Sequence, residues 1–217
     1  MRHAITGLLL AAIASPAVAQ STFLMPEVPR YFYLQGDYVE DAELEGNVGS
    51  TDGDGFGGSL WVPTSQMSFV TVDYRTVDND QGDLDELAFG IGLHGALTPA
   101  LDLYGTINYD RLELDLGSQD FDANGFGARA GLRAFLADDR VELFGEGQYS
   151  DYGDADVGGG AEVDVQGQFL TGGIVVNITP AVALHAEYRT GTYELDFQGA
   201  TDVDRDDVTL GVRVYLD

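Results

Sequence analysis

Val208-Thr209-Leu210-Gly211-Val212-Arg213-Val214-Tyr215-Leu216 alternates without a break: one face reads Val, Leu, Val, Val, Leu and the other Thr, Gly, Arg, Tyr. A period of two is the mark of a strand with two chemically different faces. Nine earlier segments repeat the pattern, at 30–40, 55–63, 67–77, 86–97, 101–114, 124–136, 141–149, 165–178 and 182–195. Through the middle of each, one face carries no charge, although the chain has a formal net charge of −27. In a water-soluble sheet ten apolar faces would have to share one core, and almost no helical periodicity exists elsewhere to cover them. A closed barrel with its apolar face turned to lipid removes the difficulty, because closure pairs every backbone N–H and C=O and leaves no edge. The expected fold class is all-β: an antiparallel up-and-down transmembrane β-barrel of ten strands, or of eight if 55–63 and its partner are misread.

The connections alternate in length. Pro63-Thr64-Ser65-Gln66, Thr98-Pro99-Ala100, Ala137-Asp138-Asp139-Arg140 and Thr179-Pro180-Ala181 are short, whereas 41–54, 78–85, 115–123, 150–164 and 196–206 read as longer loops. Short turns at one end and long loops at the other are the outer-membrane arrangement, with the long loops outside the cell. A hairpin repeat supports the parse: Leu97-Thr98-Pro99-Ala100-Leu101 aligns with Ile178-Thr179-Pro180-Ala181-Val182.

Parity then divides the side chains. The lipid face takes residues such as Leu34, Phe56, Val72, Phe89, Ile91, Ile107, Phe126, Leu143, Leu170 and Leu184. Tyr38, Tyr74, Tyr109, Tyr149 and Tyr188 fall near the loop ends of their strands, where an interfacial aromatic belt belongs. The opposite parity gives a lumen with Tyr31, Tyr33, Trp61, Phe69 and Tyr104 among its aromatics and a charged network of Asp73, Arg75, Asp110, Arg129, Arg133, Glu142, Glu146, Glu187, Arg189 and Arg213. Arginine suits such a network because its planar fork satisfies several carboxylate oxygens at once. Side chains of this size largely fill a narrow barrel, so a plugged or very tight lumen is expected.

Residues 1–19 read as a secretory signal peptide: Arg2, an apolar run from Gly7 to Ala14, and Ala17-Val18-Ala19 before the cleavage point. That run is too short to span a bilayer as a helix. Residues 20–29 are then an N-terminal periplasmic segment and 30–217 the barrel. With no cysteine there is no disulfide framework, thiolate metal site or cysteine nucleophile. All ten basic residues are Arg against 37 acidic side chains, a balance that repels nucleic acid.

The acid is concentrated: segments 40–55, 78–86, 115–122, 151–164 and 194–207 hold 25 of the 37 carboxylates and a single Arg, Arg205. Asp52, Asp54, Asp78, Asp80, Asp83 and Asp85 have the spacing of oxygen ligands for loosely bound Ca²⁺. The EF-hand register fails, since Gly82 stands at position five of its run rather than six. The alternative is a solvated acidic surface, suited to the divalent ions already held by lipopolysaccharide. No other cofactor is implied. Apart from His3 in the leader, the histidines are His94 and His185, each close to a Thr-Pro-Ala turn and so far from the outer leaflet. A nucleophile with its base is not assembled there, and no enzyme is expected.

With strands and loops placed, the chain resembles the small outer-membrane β-barrel proteins of Gram-negative bacteria, the porin-like and OmpA-like barrels, without the periplasmic domain of the larger relatives. The most specific element is the C-terminal insertion signal, matched by Thr209, Gly211, Val214 and Leu216, although the usual terminal aromatic is replaced by Asp217. The runs 31–39 and 52–58 are similar to the first hairpin of such barrels. The resemblance implies the cell outer membrane as location. It implies outer-membrane lipid, lipopolysaccharide and the barrel-assembly machinery as partners, the last through the C-terminal strand, and a monomer. A structural or surface-interaction role through acidic loops follows, with a narrow cation-selective pore and a lipid-modifying enzyme as alternatives.

Overall fold

A computed structural model describes residues 31–46, 49–79, 82–115, 120–137, 139–157, 161–196 and 200–216. The expected signal peptide, the 20–29 segment and Asp80 lie outside the described residues. Ten strands follow one another: β1 (Tyr33–Gly46), β2 (Gly49–Pro63), β3 (Ser68–Asn79), β4 (Gly82–Thr98), β5 (Leu101–Asp115), β6 (Asp120–Leu136), β7 (Val141–Val157), β8 (Ala161–Asn177), β9 (Val182–Asp196) and β10 (Ala200–Tyr215). Each pairs antiparallel with its sequence neighbour, and β10 returns to β1 to close the barrel. Ten strands are therefore present, including the doubtful β2, which pairs along its length with β1 and β3.

The short turns at the end where β1 begins and β10 ends, here called the base, are built by hydroxyls that replace missing backbone partners. Thr98 Oγ1 accepts from the Ala100 N–H, and Thr179 Oγ1 accepts from Ala181 and Val182, so the two Thr-Pro-Ala turns share one construction. Ser65 Oγ does the same for Met67 and Ser68. The 137–140 turn instead holds Ala137 at φ 52° and Asp139 at φ 63°, a left-handed conformation that costs an alanine about 1 kcal/mol.

At the opposite end, the rim, the strands overrun the expected boundaries. The segments read as long loops are paired strand: β3 runs to Asn79, β4 begins at Gly82 and β7 reaches Val157. A 17-residue strand such as β4, at about 3.3 Å per residue and a tilt of roughly 40°, rises about 40 Å, against an apolar band of about 25 Å. The barrel wall thus stands well clear of the membrane. Two bulges bend it there, between Glu40 and Glu43 in β1 and between Asp151 and Gly153 in β7, where Gly153 takes the left-handed φ of 64°.

The lumen is packed through cross-strand pairs of an aromatic with a glycine. Phe69 faces Gly92, Tyr104 faces Gly131, Phe144 faces Gly173 and Phe169 faces Gly191. In each pair a Cβ on the glycine would lie closer than 3.0 Å to the ring, so the ring lies flat on bare backbone.

Candidate functional site: the lumen and the rim

The outer surface follows the expected parity below the tyrosines. Ile107 is 71% exposed, Ile91 70% and Phe126 69%, and in the final strand Val208, Leu210, Val212 and Val214 all point outward. Tyr38, Tyr74, Tyr109, Tyr149 and Tyr188 form the belt above them. Four of the hydroxyls turn toward the rim: Tyr38 donates to Asp54 (2.8 Å), Tyr74 to Asp85 (3.0 Å), Tyr149 to Gln166 (3.3 Å) and Tyr188 to Asp206 (2.8 Å).

Above the belt the two faces exchange chemistry. The outward positions become acidic, with Asp52, Asp54, Asp78 and Asp83 all exposed. The inward positions become apolar: Val39, Ala42, Val77, Leu84, Leu112, Ala123, Tyr152, Val163, Val165, Phe169 and Tyr193 pack as one buried cluster drawn from eight strands. Five of these residues, Ala42, Leu84, Ala123, Tyr152 and Val163, fall in the segments that the sequence reads as loops; the other six lie toward the rim in the expected strands. Burial pushes the Tyr152 and Tyr193 hydroxyls up from their ordinary value, and Glu86 adds to the shift.

The residues expected to hold Ca²⁺ are redistributed by the same inversion. Asp54, Asp78 and Asp83 stand side by side on the outer faces of β2, β3 and β4, opposite one another in the ladders. Asp52 faces Glu43, and Asp85 accepts from Tyr74. These are strand positions rather than a ligand loop. Among the described residues no group of three or more His, Cys, Asp or Glu is placed to hold a metal ion.

The base of the lumen is aromatic. Tyr31, Tyr33, Trp61, Phe69 and Tyr104 form a buried cluster with Tyr215 against it. Trp61 stacks on Phe69 with centroids 4.7 Å apart, and the His94 ring stacks on Tyr31 at 3.9 Å. His94 is opposite Tyr104 in the ladder as expected, but its ring is taken up by stacking. The Arg133 guanidinium lies over Tyr31, Trp61 and Tyr104 at 4.6, 4.6 and 5.0 Å, and donates to the Tyr33 hydroxyl at 3.0 Å. Four aromatic side chains thus enclose one cation.

Between floor and roof lies the charged tier. Every residue of the expected network faces inward, and the pairs are Arg75 with Glu187 (2.6 Å), Arg129 with Asp73 (2.8 Å), Arg133 with Glu142 (3.6 Å) and Arg213 with Glu142 (3.4 Å). Asp110 and Glu146 have hydroxyl partners instead, Ser150 at 2.6 Å and Tyr104 at 2.7 Å. The hub was not among the expected residues. Glu86 accepts twice from Arg189 (2.8 and 3.0 Å), from Arg205 at 2.7 Å and from the Tyr193 hydroxyl at 2.6 Å. Arg205 is wholly buried and also binds Asp207 at 2.9 Å. By composition Glu86 and Arg205 fall in the acidic segments 78–86 and 194–207. The signal that places them is parity, since Arg205, Asp207, Thr209, Gly211 and Arg213 are successive inward positions of one strand. His185 lies between Asp37 (3.2 Å from Nδ1) and Glu187 (3.1 Å from Nε2). A cavity of about 130 Å³ remains among these groups.

A closed antiparallel barrel with an apolar outer band, a tyrosine belt and a packed polar lumen defines an outer-membrane β-barrel. Several solved structures are similar to the chain. Neisserial surface protein A is 19% identical with a TM-score of 0.46, covering 85% of this chain and 97% of that one. The Pseudomonas putida toluene transporter TodX is 15% identical with a TM-score of 0.37, covering 84% and 70%. A loop-deletion mutant of OmpT, an outer membrane protein of Vibrio cholerae, is 12% identical with a TM-score of 0.38; the match covers 84% of this chain and 62% of that protein. No family model and no curated protein matches the chain.

Proposed function

We propose that the protein is a non-conducting outer-membrane barrel that acts from its rim, a rigid acidic wall held above the membrane. The observation that carries this reading is the pair of apolar closures around the charged tier: the aromatic floor and the eight-strand roof are buried, with Phe69, Val39 and Val77 at 0% exposure. A hydrated ion crossing the lumen would have to displace both. The roof has a second consequence, since it gives the wall above the membrane a core of its own. The acidic groups are thereby fixed on strands rather than carried on loose loops.

The rim fits partners that are cationic, or anionic partners bridged by divalent ions, which is the chemistry of a lipopolysaccharide surface. Exposed carboxylates at Asp54, Asp78 and Asp83 support both, with Ca²⁺ held between protein and lipid phosphate rather than in a protein cage. No chemical reaction is proposed, because His94 is stacked on Tyr31 and His185 is held between two carboxylates. Planar-bilayer recording tests the reading. Purified barrel at membrane-inserting concentration should give no resolved current steps; reproducible single-channel steps with a cation-selective reversal potential would overturn it in favour of a narrow pore.

A further inference from the structure

The barrel closes through β10, which pairs with β9 on one side and with β1 on the other. One row of inward positions crosses this closure. His185 on β9, Gly211 on β10, Asp37 on β1, Gly57 on β2 and Arg75 on β3 stand opposite one another in successive ladders. Charged side chains thus alternate with glycines. Asp37 has bare backbone on both sides, with an imidazole two strands away in one direction and a guanidinium two strands away in the other.

Asp37 leans over Gly211. A Cβ on Gly211 would collide with its carboxylate, and Oδ1 stands 3.2 Å from His185 Nδ1. The other ring nitrogen, Nε2, is 3.1 Å from Glu187. A neutral imidazole has one N–H and one lone pair, so only the imidazolium suits a carboxylate at each nitrogen. The Nδ1–Oδ1 contact lacks the alignment of a hydrogen bond, so charge holds it. The seat on the opposite side is open. A Cβ on Gly57 would meet no side chain closer than Asp37 Cβ at 3.7 Å, and Asp37, Ser59 and Arg75 line the lumen cavity. Arginine is longer than histidine, so the span that His185 bridges is within reach of Arg75. Its guanidinium gives one nitrogen to Glu187 and the other to Asp207, which leaves N–H groups for a third acceptor.

Among the described residues, the other groups around the ring are uncharged or already paired. Phe144 on β7 stacks on it with centroids 6.0 Å apart, and its ladder partner on β8 is Val175. β10 adds Arg213, paired with Glu142, and Asp207, paired with Arg75 and Arg205. β1 adds Gln35, which donates to Asp37 Oδ2 at 3.0 Å.

We propose that His185 and Asp37 form a pH-sensitive clasp across the closing strand. While the imidazole carries both protons, Asp37 is drawn over Gly211 and β1 is tied to β9. When His185 releases a proton, one ring nitrogen turns a lone pair toward a carboxylate, and Asp37 moves over Gly57 to Arg75. The tie then runs from β1 to β3, and the closing strand is no longer bridged. A contact made by the cationic form stabilises the barrel below the titration of His185, and its contribution is lost as the pH rises through that titration. The clasp lies in the membrane-spanning wall and is independent of what the rim binds.

Thermal unfolding of the detergent-refolded protein, read by circular dichroism at about pH 6 and about pH 10, tests this with Asp37→Asn, His185→Gln and the double variant. At the acid end the double variant should lose less than the two single losses added, by at least about 3 °C in midpoint; at the alkaline end the losses should simply add. Coupling of equal size at both ends, or none at either, overturns the clasp. Gly57→Val fills the second seat and should deepen the alkaline fall in midpoint; an unchanged fall overturns the move to Arg75. Should a variant fail to fold, ¹⁵N spectra of the unaltered, histidine-labelled protein decide, with His185 assigned through its contact with Phe144. Its ring should show two protonated nitrogens at the acid end and one at the alkaline end. One throughout, or two throughout, refutes the switch.

Discussion

Glu86→Gln removes one charge from the carboxylate that receives more lumen donors than any other described here, and does so without changing its shape. Arg189 loses a bidentate partner, one of whose oxygens becomes an amide N–H pointing at a guanidinium. Arg205 loses a 2.7 Å contact but keeps Asp207, and the Tyr193 hydroxyl still finds the remaining oxygen. Breaking one side of a buried ion pair costs about 3–5 kcal/mol. With Glu86 13% exposed at its side chain and Arg205 retaining a partner, the expectation lies near the lower end, about 3 kcal/mol. Asp110→Asn is the internal contrast. Among the described residues Asp110 has no cationic side chain within ion-pair distance, and the variant keeps an acceptor for Ser150, so its cost should stay under about 1 kcal/mol or be a gain. Urea unfolding in lipid vesicles, followed by emission of Trp61, the chain's one tryptophan, reads both as shifts in midpoint at constant slope. A cost below about 1 kcal/mol for Glu86→Gln, or equal costs for the two variants, would refute the reading of Glu86 as the hub of the lumen's ion pairs.

Gly131→Val should push Tyr104 off its seat and break its bond to Glu146, costing about 1–3 kcal/mol; the double variant with Tyr104→Ala should cost less than the sum of the two single changes in the same urea assay. Ala137→Gly relieves the left-handed turn and should stabilise by about 1 kcal/mol, seen as a higher unfolding midpoint. Ile107→Arg places a charge in the middle of the lipid face of β5 and should cost about 2–4 kcal/mol in vesicles.

Below the belt the structure was legible in the sequence because every strand there obeys one rule, a charge-free apolar face outward and all the charge inward. The inward set from Tyr31 to Tyr215, the opposition of Arg133 to Phe144 and the five belt tyrosines all follow from parity alone. Above the belt the parity continues but the chemistry inverts. In Asp83-Leu84-Asp85 and Asp202-Val203-Asp204 the apolar residue is now the inward one. A search for a charge-free outward face stops at that inversion and reports a loop, which is why Glu86 and Arg205, both inward at this level, were assigned to the acidic segments. The missing cue was water on the outside: once a wall clears the membrane, its core must lie within. The pairings that span the lumen, such as Arg75 with Asp207 and Arg129 with Asp73, depend on which strands a curved wall brings face to face, and no ladder neighbour relation in the sequence contains them.

The inversion can be read directly by cysteine accessibility, because the chain has no cysteine of its own. Single cysteines at Val77 and Leu84, inside the roof, and at Asp78 and Asp83, on the outer wall, would be probed on intact cells with a membrane-impermeant maleimide. A closed, strand-built rim predicts rapid labelling at 78 and 83 and protection at 77 and 84, alternating residue by residue. Equal labelling at all four positions would mean mobile loops, and with them an open lumen and no roof.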